Sequence, residues 1–149
     1  MSLSDLIRPE VVKVPLVAHA KSEVIGELLD VLADADKLAG DRDRAMNALL
    51  ERESLGSTGL ESGIAVPHAK TDAVRRLTLA IGIAPEGIDF ESADGEPSRI
   101  FFLMLAPPDQ SGPHIEALAE IARLARAPSF LKALARAESA EEVVDLLNE

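Results

Sequence analysis

The composition of this 149-residue chain excludes several classes of protein. A formal net charge of −11 and the absence of Trp and Tyr disfavour nucleic-acid binding, which depends on basic patches and stacking aromatic rings. The same charge disfavours binding to anionic membranes, and no apolar run approaches the length of a membrane-spanning helix. Because there is no cysteine, disulfides, thiolate metal sites and cysteine nucleophiles are also excluded.

Length and hydrophobic content predict one folded domain over residues 1–149, large enough for a substantial core. Hydrophobic residues make up 47% of the chain and aromatic residues only 3%, so the core must be mainly aliphatic. The N-terminal residues lack the charged and apolar regions of a secretory signal. A cytoplasmic protein is therefore the simplest expectation.

The first half of the chain predicts a short strand followed by two helices. Ser4–Ile7 is expected to form a turn of helix, and Val11–Val14 is expected to form a strand. Ser22 is a suitable N-cap for a first helix. One face of that helix carries Val24, Ile25, Leu28, Leu29 and Leu32. Asp41 is a suitable cap for a second helix that ends near Leu55, with an inward face of Ala45, Ala48 and Leu49.

The middle of the chain predicts a loop and two strands. Gly56–Gly63 is rich in glycine and serine, which is typical of a loop. Leu77–Ile83 alternates apolar residues and predicts a strand, and Arg99–Leu105 is an apolar run that suits a strand buried on both faces. Glu86-Gly87 and Asp94-Gly95 predict turns between these two strands.

Three helical segments are predicted in the last third of the chain. The first covers Gly112–Arg126 with an inward face of Ile115, Leu118, Ala119 and Ala122. Pro128 begins the second, and the capping box Ser139-Ala140-Glu141-Glu142 opens the third. The interleaving of helices and strands predicts an α/β or α+β protein with helices packed against a sheet.

His68 is the residue best placed to carry chemistry, in the run Gly63-Ile64-Ala65-Val66-Pro67-His68-Ala69-Lys70. Ile64 and Val66 favour a strand, and Pro67 holds the backbone extended, so His68 should leave the strand end in a defined direction. Functional residues are concentrated at such positions. An isolated Pro-His pair would more often be an ordinary strand exit, so the flanking residues decide the interpretation.

Those flanking residues resemble the enzyme IIA domains of the fructose/mannitol class (type 2) of bacterial sugar phosphotransferase systems, including the nitrogen-regulatory branch. The resemblance lies in Arg52-Glu53-Ser54-Leu55-Gly56-Ser57-Thr58-Gly59-Leu60, followed by Gly63 through Ala69. It implies a single α/β domain with a mixed sheet flanked by helices on both faces. One position departs from the family pattern, since Glu61 stands where a glycine or alanine is usual.

The resemblance also implies a reaction. Nε2 of His68 would accept a phosphoryl group from a phosphohistidine on the HPr-type phosphocarrier protein and pass it to a sugar-specific IIB protein. An imidazole with an ordinary pKa near ~6.5 is readily neutral, as such a nucleophile requires. The chain has no Gly-x-x-x-x-Gly-Lys-Ser/Thr loop and no paired metal-binding carboxylates. No cofactor and no metal are therefore expected.

Five further residues are candidates for the same site. The resemblance places His114, in the first turn of a helix, and Arg52, with its planar donor fork, beside the phosphoryl group. Ser57 and Thr58 are possible phosphate contacts, although ordinary turn chemistry explains them equally well. Lys70 is a possible contact to phosphate or to the partner, and a solvated surface lysine is the alternative.

Two alternatives to sugar transport remain open at this point. The phosphorylation state of His68 in a nitrogen-regulatory protein would control protein partners instead of feeding a IIB protein. Ser57-Thr58-Gly59 and Gly63-Ile64-Ala65 resemble the fructose and nitrogen-regulatory branches more than the mannitol branch. A catalytically silent IIA-like domain is the second alternative, and Glu61 is the residue that supports it.

Overall fold

A computed structural model describes residues 3–148 of the chain. Two short 3-10 turns, Leu3–Leu6 and Pro9–Val11, precede the regular elements. These elements are β1 (Val12–Lys13), α1 (Lys21–Asp34), α2 (Arg42–Ser54), β2 (Ile64–Ala65), β3 (His68–Lys70), β4 (Thr78–Ile88), β5 (Ser98–Ala106), α3 (Ser111–Leu124), α4 (Pro128–Ala135) and α5 (Ala140–Leu147). Within the described range, no helix combines the length and the apolar character needed to cross a membrane.

The strands form one mixed sheet in the order β1-β4-β5-β2, and β3 also pairs with β5. The long central strands β4 and β5 are antiparallel. The pairs β1–β4, β2–β5 and β3–β5 are parallel. Because β2 and β3 follow each other along the same side of β5, they form one edge of the sheet.

The alternating side chains of β5 divide the core into two layers. Phe101, Leu103 and Leu105 pack among buried side chains of α1 and α2. Ile100, Phe102 and Met104 point to the opposite face and pack among buried side chains of α3, α4 and α5. The apolar run is therefore buried on both faces, and the predicted α/β fold with helices on both sides of a mixed sheet is confirmed.

The predicted caps of the helices are right in two cases and wrong in one. Asp41 accepts a hydrogen bond from the Asp43 amide, and Ser139 accepts one from the Glu142 amide. Ser22, however, lies inside α1, whose N-cap is Ala20. A carboxylate inside the helix binds the backbone that precedes it, because the His19 amide donates to Glu23 Oε1 at 3.0 Å.

The predicted turn at Glu86-Gly87 is wrong. Strand β4 continues through these residues to Ile88, which pairs with Ser98 after a shift of register beyond Ile83. Gly87 adopts a φ of +82°, so the backbone bends inside the strand without ending it. Pairing with β5 thus overrides a local turn signal, whereas Asp94-Gly95 does form the predicted turn.

The predicted inward face of α3 is right only for Leu118, which is half-buried and packs against the core. His114, Ala117 and Ile121 form the buried stripe, while Ile115 is 65% exposed. Alanines occur on both sides of this helix, so apolar spacing defines its orientation poorly, and a stripe containing histidine is not found by hydrophobicity. The rotation carries His114 toward the sheet.

Candidate active site

The site lies at the sheet edge, where the two helical layers come close to each other. The sequence predicts that the chain leaves the sheet at His68. Pro67 does interrupt the strand after β2, but the chain pairs with β5 again at once, so His68 begins β3 and stays in the sheet. The neighbouring Ala69 belongs to the core layer of α1 and α2. Because side chains alternate along a strand, His68 faces the opposite layer, which contains α3.

The backbone of the preceding residues fixes the tautomer of His68. Nδ1 of the ring lies 2.7 Å from the carbonyl oxygen of Val66. A carbonyl oxygen only accepts hydrogen bonds, so Nδ1 must carry the proton. The neutral ring therefore keeps its lone pair on Nε2, which leaves Nε2 as the nitrogen able to act as a nucleophile.

His114 lies beside His68 and is buried. The two ring centroids are 5.3 Å apart with an interplanar angle of 77°, an edge-to-face arrangement. Only 5% of His114 is exposed, and its Nε2 atom has no hydrogen-bond partner among residues 3–148. A buried polar atom without a partner costs roughly 1–3 kcal/mol. Such an atom is characteristic of a site that binds a polar group.

Burial lowers the pKa of both histidines. For His68, desolvation is the largest cause and the charge of Arg52 adds to it, while the Val66 carbonyl and Glu53 oppose it. For His114, desolvation is again the largest cause, and repulsion from Lys70, and from His68 when that ring is protonated, acts in the same direction. Both pKa values are lowered from the ordinary value of histidine, so the fold favours the neutral form of both rings.

A cavity of about 510 Å³ joins α2, β3 and α3 around these rings. Its lining includes the polar side chains of Arg52, His68, Lys70 and His114. The exposed apolar residues Leu55 and Ile115 also line it, at 81% and 65% exposure. The cavity thus combines a polar centre with an apolar rim.

The two basic candidates of the cavity are held differently. Arg52 Nη1 donates a hydrogen bond to the Gly56 carbonyl at 2.8 Å, which holds the side chain near the loop after α2. Lys70 Nζ donates to Ser111 Oγ at 2.7 Å, at the start of α3. Both side chains place positive charge beside neutral imidazoles, an arrangement suited to an anionic group.

Ser57 and Thr58 lie outside the lining of this cavity. Ser57 Oγ donates to the Phe90 carbonyl at 2.6 Å and accepts from the Gly59 amide at 3.0 Å. The hydroxyl of Thr58, a buried residue, donates to the Glu53 carboxylate. Their hydroxyl groups therefore stabilise the loop in this state, and a phosphate contact stays a prediction for both.

Glu53 is a residue of this region to which the sequence reasoning assigned no role. Its side chain is only 5% exposed and pairs with Lys21 Nζ at 3.0 Å. It also accepts hydrogen bonds from the amide and the hydroxyl of Thr58. A carboxylate in the last turn of a helix interacts unfavourably with the helix dipole. The position of Glu53 in the sequence could therefore have indicated that a specific cation or donor stabilises it.

Glu61, the residue that departs from the family pattern, is exposed and lies outside the lining of the cavity. It is in a tight turn closed by a hydrogen bond from the Leu60 amide to the Ile64 carbonyl at 2.8 Å. As to metals, no group of three or more His, Asp or Glu side chains within residues 3–148 is placed to hold an ion.

Curated relatives match the chain over its full length. It is 37% identical over 147 residues to a fructose-specific EIIA component of Haloferax volcanii, covering 99% of this chain and 95% of that protein. It is 36% identical over 148 residues to a nitrogen regulatory protein of Bradyrhizobium diazoefficiens, with the same coverage of each. A fructose-specific EIIABC component of Bacillus subtilis is 36% identical over the whole chain, which spans only 23% of that protein.

Solved structures and a family model agree with these relatives. The nitrogen regulatory protein IIA-Ntr of Neisseria meningitidis matches with a TM-score of 0.88 and 28% identity, covering 97% of this chain and 98% of that one. Enzyme IIAMTL of Escherichia coli, solved in complex with phosphorylated enzyme IIBMTL, matches with a TM-score of 0.79 and 25% identity, covering 95% and 96%. Residues 5–149 match the family model "Phosphoenolpyruvate-dependent sugar phosphotransferase system, EIIA 2". The chain therefore belongs to the type 2 enzyme IIA family of this system, whose members are phosphotransfer components.

Proposed function

We propose that this chain is a histidine phosphocarrier and that His68 is its phosphorylated residue. The observation that carries the proposal is the position of the His68 ring. Nδ1 lies 2.7 Å from the Val66 carbonyl oxygen and donates its proton to it, and the ring lines a cavity together with His114, Arg52 and Lys70. The lone pair of Nε2 is then available for transfer, and the surrounding groups suit an anion.

The reaction is a transfer between two histidines. The Nε2 lone pair of His68 attacks the phosphorus of a phosphohistidine on the HPr-type phosphocarrier protein. One phosphorus–nitrogen bond breaks on the donor as another forms on His68, and the donor imidazole leaves with the bonding pair. No proton has to leave Nε2, because the proton of the ring is already on Nδ1.

The neighbouring residues would stabilise charge on the transferring phosphoryl oxygens. His114 offers the unpartnered Nε2 atom, and a neutral ring with the proton on that nitrogen would donate it to an oxygen. Arg52 and Lys70 supply positive charge from α2 and β3. Groups fixed before the reaction reduce the cost of reorganisation in the transition state.

The exposed rim suggests where a protein partner would dock. Leu55 and Ile115 are exposed apolar residues that line the cavity, one at the end of α2 and the other in α3. Exposed apolar groups beside a polar site are typical of interfaces with other proteins. A phosphocarrier or a IIB protein would cover this rim while the phosphoryl group passes between the two nucleophiles.

The same site would serve a sugar-transport protein or a nitrogen-regulatory one. Identities of 37% and 36% to a fructose-specific component and to a nitrogen regulatory protein support both. We favour transfer to a IIB protein of the fructose type, and a regulatory IIA protein is the second candidate. Rapid transfer from phosphorylated protein to a fructose-type IIB protein would support the first, and its absence would favour the second.

Labelling with radioactive phosphoenolpyruvate, enzyme I and the phosphocarrier tests the site. We expect one label per chain, lost in acid and stable in base as phosphohistidine is, and no label on His68→Ala. His19→Ala is the matched control, because His19 is exposed and lies outside the cavity, so its labelling should equal that of the wild type. Full labelling of His68→Ala would overturn the assignment.

A further inference from the structure

A continuous path of hydrogen bonds runs from Glu53 to the His68 ring. The Glu53 carboxylate binds the amide of Thr58, and the carbonyl of Thr58 accepts from the Val66 amide at 2.9 Å. The carbonyl of Val66 in turn accepts from His68 Nδ1 at 2.7 Å. Two residues thus separate a buried carboxylate from the proton that determines the tautomer of His68.

The first step of this path is firmly held. Lys21 Nζ lies 3.0 Å from Glu53 and 3.0 Å from Glu91, and 4.9 Å above the ring of Phe90. Burial alone lowers the pKa of Lys21, but its hydrogen bonds to the two carboxylates outweigh burial and raise that pKa above its usual value. The lysine therefore stays charged and fixes the carboxylate in place.

The second step joins the glycine-rich loop to the residues that precede His68. Gly59 and Ala65 form an isolated antiparallel bridge, and the Leu60 amide donates to the Ile64 carbonyl. The loop thus lies alongside β2 like an additional strand, and Thr58 is the residue in line with Val66. A displacement of Thr58 would therefore move the peptide unit that precedes Val66, and with it the residue whose carbonyl oxygen faces His68.

We infer that Glu53 is a positioning residue that fixes His68 in the Nδ1–H tautomer by holding Thr58 and, through it, Val66. This inference rests on the proposed function, since the tautomer matters only if Nε2 is the nucleophile. The proton position of an imidazole is set by the hydrogen bond that the other nitrogen makes. Without a fixed carbonyl at Nδ1, part of the population would carry its proton on Nε2 and be unable to attack.

Nitrogen-15 NMR of the His68 ring in the unphosphorylated protein tests the inference directly. The wild type should show the Nδ1–H form, whereas Glu53→Ala and Thr58→Val should show a mixture of tautomers. Glu53→Gln, which keeps one oxygen acceptor, should be intermediate. The rate of phosphoryl acceptance should fall about 10–100-fold in Glu53→Ala, in kcat more than in KM, as expected for loss of a group that orients an essential side chain.

The matched control is Asp43→Asn, which removes a negative charge from an exposed residue of the same helix and should change neither readout. Glu53→Gln preserves the shape of the side chain, so it provides the test if Glu53→Ala fails to fold. Folded variants that keep the wild-type tautomer and rate would overturn the inference. The NMR measurement needs no phosphoryl donor, so it is independent of the proposed function. If the variants show the tautomer shift but the wild type is never phosphorylated, the proposed function is refuted and the inference stands.

Discussion

At the scale of single residues, the candidate site is centred on two imidazoles whose pKa is lowered by burial. A backbone carbonyl fixes the tautomer of His68, and the buried ring of His114 lies beside it with an Nε2 atom that has no hydrogen-bond partner among residues 3–148. Positive side chains near both rings disfavour protonation further. In the function that we propose, one ring is the nucleophile and the other donates a hydrogen bond to a phosphoryl oxygen.

The first prediction concerns stability and pH. The folded pKa values of His68 and His114 lie below the usual 6.5, whereas the unfolded chain titrates near that value. Between the two values the unfolded state binds more protons, so the free energy of unfolding should fall as the pH drops from about 7 through the folded pKa values. Urea unfolding of the wild type and of His68→Gln/His114→Gln should show this dependence reduced in the double variant.

The second prediction separates the roles of the two histidines. His114→Ala should still accept a label on His68, because the nucleophile remains, but onward transfer should slow by roughly 10–1000-fold through loss of one preorganised donor. Rapid-quench kinetics with the phosphocarrier and a IIB protein measure both steps. Transfer at the wild-type rate would show that His114 has no part in stabilising the phosphoryl group.

At the scale of elements, the loop after α2 and the edge strands form one unit. The loop is paired with β2 through Gly59 and Ala65, and its side chains bond to the segment after β4, as Ser57 does to Phe90. This unit connects Arg52 at the end of α2 to His68 at the start of β3. Its packing should therefore be sensitive to added volume.

The third prediction tests that packing. A Cβ atom at Gly59 would lie 2.6 Å from Ser92 Oγ and 2.9 Å from the Phe90 carbonyl oxygen, closer than atoms can approach. Gly59→Ala should lower the free energy of unfolding by about 1–3 kcal/mol, as overpacking does. Gly112→Ala is the control, since nothing lies within 4 Å of its added atom, and urea unfolding should show no loss there.

At the scale of the whole molecule, one sheet separates two cores and leaves the site at its edge. Leu103 of β5 is fully buried against the helices α1 and α2, whereas Leu55 is 81% exposed at the cavity rim. Apolar side chains therefore have two different tasks in this protein. Those in the core stabilise the fold, and those at the rim are available to a partner.

The fourth prediction contrasts these tasks. Leu103→Ala should cost about 2–5 kcal/mol of unfolding free energy, because it leaves a cavity in a closely packed core. Leu55→Ala/Ile115→Ala should change stability by no more than about 0.5 kcal/mol for each substitution, yet raise the KM for the phosphocarrier. Thermal unfolding and steady-state transfer measure the two effects, and an unchanged KM would exclude the rim from the interface.

Local sequence determined the types of the longer helices and strands, two of the caps and the family. Apolar alternation located β4 and β5, and side-chain acceptors located the starts of α2 and α5, since each of these signals is local. The ordered residues from Arg52 to Ala69 were enough to predict the family that the family model matches. The neutrality required of His68 was also expected from the ordinary chemistry of imidazole.

Only the tertiary structure decided the orientation of α3, the continuation of β4 past Gly87, and the part played by Glu53. The rotation of α3 depends on packing against the sheet, because its alanines make both faces similarly apolar. The strand continues because pairing with β5 outweighs a turn signal. Glu53 is defined by contacts to Lys21 and Thr58, which separate segments bring together. Such non-local contacts leave little trace in the sequence, and they place the histidine of a recognisable motif in a cavity beside a second, buried histidine.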